Sequence, residues 1–239
     1  MLFICIKKVY NVFIWSIYMQ NIIDKTADFV ESKLENGEGA HDWFHIERVW
    51  NNAKAICKEE EKADMFVVEL AALLHDIADY KFHDGDIEAG PKAAREWLET
   101  LNVDNSVIEH VCEIIRHLSF KGAGAENPMQ TIEGKIVRDA DRLDALGAIG
   151  IARSFAYGGA KGNLIYNPDI KPKLHNTKEE YLNTLNGKNK ASQFNHFYEK
   201  LLLLKDLMQT KTGKEMAKKR HEFIEIYMKQ FIDEWERKI

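Results

Sequence analysis

Residues 64–81 read DMFVVELAALLHDIADYK, and their periodicity decides the fold class. At 100° per residue, Phe66, Leu70, Leu73 and Ile77 fall on one side, with Met65, Val68 and Ala72 opposite. A helix that is apolar nearly all round is buried, so the spacing predicts a central helix over 64–80. His75, Asp76 and Asp79 share the Met65/Val68/Ala72 flank of that helix. Burying an unpaired carboxylate costs several kcal/mol, so a metal ion or basic side chains must compensate. The bland alternative is a helix end, with Asp79 reaching water and His75 bonded to a backbone carbonyl. An imidazole and two carboxylates on one buried flank favour a site.

Outward from this helix the 3.6-residue period continues. It marks helices near 20–35, 42–60, 86–101, 104–119, 131–147, 148–157, 177–209 and 213–237. Only four prolines occur, and no segment alternates with period two. The expected fold is therefore all-α, a compact bundle of about eight or nine helices. Breaks fall at Gly37/Gly39, Gly122/Gly124, Pro128 and across YGGAKGNLIYNPDIKPKLHN (157–176). A loop of that length suits a binding element or lid.

The chain has 239 residues, 45% hydrophobic and 30% charged, an ordinary globular balance. Its formal charge of −5 argues against a nucleic-acid polymer as partner. Cys5, Cys57 and Cys112 form no C-x-x-C pair, which fits a reducing cytoplasm and no disulfide framework. LFICIKKVYNVFIWSIY (2–18) looks membrane-seeking, but Lys7, Lys8 and Asn11 interrupt it, so no stable membrane insertion is expected. Residues 1–18 read as an N-terminal extension, and 19–239, opening at Met19, as one helical domain.

A metal needs more ligands than one helix aims. In AHDWFHIERVW (40–50), His45 shares a face with Val49 and Ile56, with His41 and Arg48 beside it. Asp42 follows a Gly-rich stretch and reads as the N-cap. In TIEGKIVRDADRLDALG (131–147), Asp141 lies with Gly134, Val137 and Ala145, Asp144 is its i+3 neighbour, and Asp139 points away. Three helices can thus offer His45, His75, Asp76 and Asp141. Two nitrogens and two oxygens suit one divalent ion, manganese first, with Fe, Co, Ni, Mg or Zn compatible.

The combination of HDWFHIERV, LLHDIAD and RDADRLDALGAIGIAR resembles the HD-domain metal-dependent phosphohydrolases over about residues 20–210. It is most similar to the single-domain bacterial branch that includes nucleotide pyrophosphohydrolases. The resemblance implies an HD-domain-like bundle, metal ligation by His45, His75, Asp76 and Asp141, and a catalytic role for Asp79. His83, His110 and His117 do not form the adjacent histidine pairs of dinuclear relatives, so one metal is expected.

The implied reaction is attack of an activated water on phosphorus, most simply turning a deoxynucleoside triphosphate into monophosphate and pyrophosphate. Lys81 and His117 are further catalytic candidates. His41, Lys121, Arg142, Asp144 and Arg153 are the candidate substrate contacts, and Arg48 can brace a ligand carboxylate. The expected partner is a small phosphorylated compound, and a homodimer is compatible with the sequence. A monophosphatase or phosphodiesterase, or a non-catalytic metal and nucleotide sensor, would use the same residues. A di-iron carboxylate bundle is disfavoured, because the only Glu-x-x-His (Glu38 to His41) sits among glycines. Trp43, Phe44 and Trp50 read as core rather than as a base-stacking platform.

Overall fold

The computed structural model describes residues 2–34, 42–78, 86–118, 129–173 and 192–239, with side chains from Trp15 onward in the first helix. Nine α-helices and one 3-10 helix form among the described residues. They are α1 (Leu2–Leu34), α2 (Trp43–Cys57), α3 (Met65–Leu74), α4 (Ala89–Thr100), α5 (Asn105–Leu118), α6 (Ile132–Asp144), α7 (Gly147–Ala160), α8 (Asn195–Glu199) and α9 (Lys211–Trp235). The 3-10 helix, Leu201–Leu207, lies between α8 and α9. The only extended pairing described is an isolated parallel bridge between Leu164 and Ser192. The expected all-α bundle is what the chain forms.

The apolar helix α3 sits at the centre. Val67, Val68 and every residue from Leu70 to Leu74 are buried, and α3 packs on α1, α2, α5 and α6. Asp64 caps its start by accepting from the Phe66 N–H at 2.9 Å. The helix is shorter than its periodicity predicts. It stops at Leu74, and residues 75–78 are turn. The His75 imidazole takes up the Ala72 carbonyl at 2.8 Å, and the Ile77 N–H reaches back to Leu74 O at i−3. Both contacts tighten the last turn and end the regular ladder.

Helix α2 begins where the sequence predicts. The Asp42 side chain accepts from the His45 N–H at 2.8 Å and caps it. Helix α6 packs against α2 and α3, and α7 follows after only two residues. Gly147 makes that short reversal possible, because its φ is +72° and an added Cβ would lie 3.2 Å from Arg220.

Two other predicted spans differ. Residues 2–34 form one continuous helix rather than starting near 20; Trp15, Ile17, Tyr18 and Met19 are exposed on it, while Ile22, Ile23 and Val30 enter the core. Phe29 stacks on Trp97 of α4 at 3.8 Å between centroids. The helix predicted over 177–209 is broken at Lys200 where it is described, giving α8 and the 3-10 helix. Phe194 and Phe197 are fully buried there, and Phe194 stacks on Phe231 of α9 at 4.5 Å. Ring packing, not a continuous helical stripe, directs the chain in this region. No helix among the described residues is long and apolar enough to cross a membrane.

Candidate metal centre

The turn after α3, the first turn of α2 and the last turn of α6 meet at one point. His45 Nε2 lies 3.6 Å from Asp76 Oδ2 and 3.6 Å from Asp141 Oδ1. His75 Nε2 lies 3.7 Å from Asp76 Oδ2 and 4.0 Å from Asp141 Oδ1. His45, His75 and Asp76 offer ligand atoms that all fall within 4.8 Å of one another. Both histidines are buried, whereas the Asp141 side chain is 37% exposed, so the cluster opens on its Asp141 side.

Each imidazole is held from behind through Nδ1. His75 Nδ1 donates to the Ala72 carbonyl at 2.8 Å, and His45 Nδ1 donates to Asp144 Oδ2 at 2.7 Å. Both Nε2 atoms then face the carboxylates. Buried His75 Nε2 has no hydrogen-bond partner among the described residues. A buried polar atom left so is costly unless a ligand satisfies it. Two imidazoles and the Asp76 carboxylate around one point, with Asp141 Oδ1 beside both rings, fit a divalent cation.

The electrostatics agree. Burial works against a charged His45, but the Asp144 and Asp76 carboxylates outweigh it and raise its pKa from 6.5 to about 9. The site draws positive charge to its centre. Burial also opposes ionisation of Asp144, yet hydrogen bonds from His45 and Arg48 and the charge of Arg153 hold its carboxyl well below the usual carboxylate range.

Asp144 was expected to meet substrate, and its position corrects that. It is 1% exposed, and Arg48 Nε and Nη2 reach its two oxygens at 2.6 and 3.0 Å. Arg153 Nη1 reaches Oδ2 at 2.7 Å. Arg142, another expected substrate contact, instead turns inward and donates to the Leu207 carbonyl. Asp139 faces away from the cluster, as expected, and accepts from the Gln209 and Thr210 backbone and the Thr210 hydroxyl, so it fixes the start of α9. His117 ends α5, with Nε2 2.9 Å from Glu113 Oε1. His41, Asp79, Lys81 and Lys121 lie outside the described residues. Trp43 and Trp50 pack on the core, and Trp50 Nε1 donates to Glu69 at 2.7 Å, while Phe44 is exposed.

Sequence reasoning missed what joins Asp144 to His45. The signal was there as two i,i+3 pairs, His45/Arg48 on α2 and Asp141/Asp144 on α6. Packing α2 on α6 brings the pairs face to face, so that one end of each meets the metal position and the other ends meet each other.

Comparison with known proteins identifies the family. The HD domain profile matches residues 43–146, which carry all four clustered residues. The YpgQ protein of Bacillus subtilis, itself uncharacterised, is 39% identical over 218 residues, covering 90% of this chain and 93% of YpgQ. The crystal structure of an HD-superfamily hydrolase from Bacillus thuringiensis superposes with a TM-score of 0.70 at 44% identity, covering 91% of this chain and 98% of that one. The structure of YpgQ in complex with ADP superposes with a TM-score of 0.70 at 35% identity, over 91% and 96% of the two chains. With the fold, the four converging residues and relatives this similar along nearly its whole length, the chain belongs to the HD superfamily of hydrolases.

Proposed function

We propose that the protein is a metal-dependent phosphohydrolase that cleaves a deoxynucleoside triphosphate to the monophosphate and pyrophosphate. The observation that carries the reading is the convergence of His45, His75, Asp76 and Asp141, with His75 Nε2 left for a ligand. The ADP complex of the similar YpgQ supports a nucleotide as the phosphorylated partner.

His45, His75, Asp76 and Asp141 would hold the ion, with manganese the first candidate for this donor set. When bound, a divalent ion lowers the pKa of water and neutralises phosphoryl charge. Asp79, three residues beyond Asp76, takes a proton from the attacking water. That water's oxygen bonds to the α-phosphorus, the bond to the bridging oxygen breaks, and pyrophosphate leaves. Lys81, Lys121 and His117 are the cationic or proton-donating groups assigned to phosphate charge. Arg142 and Arg153 drop from that set because their guanidiniums are engaged inside, on Leu207 O and on Asp144.

The test is a panel of deoxynucleoside triphosphates with manganese, magnesium, cobalt or nickel, reading phosphate and pyrophosphate separately. Equal amounts of monophosphate and pyrophosphate are expected. Orthophosphate alone would identify a phosphatase. Tight metal and nucleotide binding without turnover would identify a sensor.

A further inference from the structure

The two imidazoles at the centre are backed by different groups. His75 leans on a neutral carbonyl, Ala72 O, and His45 on a carboxylate, Asp144. A carboxylate behind a metal-binding histidine fixes its tautomer and makes it a stronger donor. Asp144 is itself held without slack. Its Oδ2 accepts from His45 Nδ1, Arg48 Nη2 and Arg153 Nη1, and its Oδ1 accepts from Arg48 Nε. Three of these four donors converge on Oδ2, the oxygen that faces His45. They arrive from α2 and α7 onto the last residue of α6, so three helices fix where Oδ2 sits. The planar fork of Arg48 also sets the rotation of the carboxylate plane.

We infer that Asp144 is a positioning residue. It holds His45 as the Nδ1–H tautomer with the Nε2 lone pair aimed at the point shared with His75, Asp76 and Asp141, and it thereby sets the affinity for the metal. Arg48 and Arg153 serve the metal through Asp144, by fixing its orientation. The inference rests on the metal reading of the four residues and not on the nucleotide.

A purely structural carboxylate is available for comparison on the same helix. Asp139 is fully buried and also accepts four hydrogen bonds, but they come from Gln209 and Thr210 rather than from a ligand. Asp144→Asn keeps size and shape and removes the charge behind His45. Direct titration of the whole protein with manganese should show affinity weakened by about 10–100-fold in Asp144→Asn. Asp139→Asn should lose thermal stability with its manganese affinity unchanged. Equal affinity in Asp144→Asn and the unmodified protein overturns the inference, and absence of manganese binding in the unmodified protein overturns the metal reading instead.

A measurement on the unmodified protein covers the case in which Asp144→Asn does not fold. In the zinc-loaded, 15N-labelled protein both histidines should be protonated at Nδ1, with the His45 Nδ1 proton further downfield than that of His75. Protonation of His45 at Nε2, or equal Nδ1 proton shifts for the two rings, overturns the inference.

Discussion

Asp141 Oδ1, from the last turn of α6, lies 3.6 Å from His45 Nε2 of α2, joining two helices at the point where a cation would sit. Asp76, in the turn after α3, completes the group. Asp76→Ala should therefore abolish metal content, measured by elemental analysis of the purified protein, and phosphohydrolase activity with it. An active variant free of metal would refute the site.

Asp79 follows Asp76 by three residues in the sequence and is assigned the proton of the attacking water. Asp79→Asn keeps a polar group of the same size and removes the base. Metal content should stay at the level of the unmodified protein while turnover falls by about 10²-fold or more, the usual scale for a lost general base. Unchanged turnover would take that role away from Asp79.

The sequence makes the candidate cluster legible because its residues sit on strongly periodic helices or directly after one. His45, His75, Asp76 and Asp141 come together, His75 and Asp76 from the turn after α3 rather than from its helical face. The Asp42 cap was readable for a similar reason, being a local side-chain to backbone contact. What stayed hidden depends on tertiary partners. Arg142 looks like a phosphate ligand in the sequence, and only the placement of Leu207 turns it inward. Asp144 reads as a substrate contact in the sequence until the packing of α2 on α6 sets Arg48 and His45 against it. The early end of α3 is likewise invisible to periodicity; there the His75 imidazole takes the Ala72 carbonyl.

Gly147 is needed for its backbone. Its φ of +72° lies in the left-handed region, and Arg220 lies close to where a Cβ would stand. Gly147→Ala should destabilise the fold by about 1 kcal/mol or more. A urea titration should show this as a lower midpoint with an unchanged slope. The turn links Asp144 to α7, so Gly147→Val, with a branched side chain, should cost more still. A midpoint unaffected by either change would remove the constraint.

Cys57, at the buried end of α2, supplies a pH-dependent contribution. Burial first, then the charges of Glu133, Asp64 and Glu69, push its thiol from 9.0 up to about 11. The folded state thus holds this proton more tightly than the unfolded chain. The associated stability is fully present below pH 9 and is lost as the pH rises from 9 through 11. Urea midpoints should fall over that window in the unmodified protein and fall less steeply in Cys57→Ala. The remaining slope belongs in part to Cys112, whose thiol burial also pushes up. Thiolate is the reactive form, so the raised pKa leaves little of Cys57 primed for attack at pH 8. Alkylation by iodoacetamide should be slow in the folded protein at pH 8 and fast once urea unfolds it. Rapid modification of folded Cys57 at that pH would contradict the raised value.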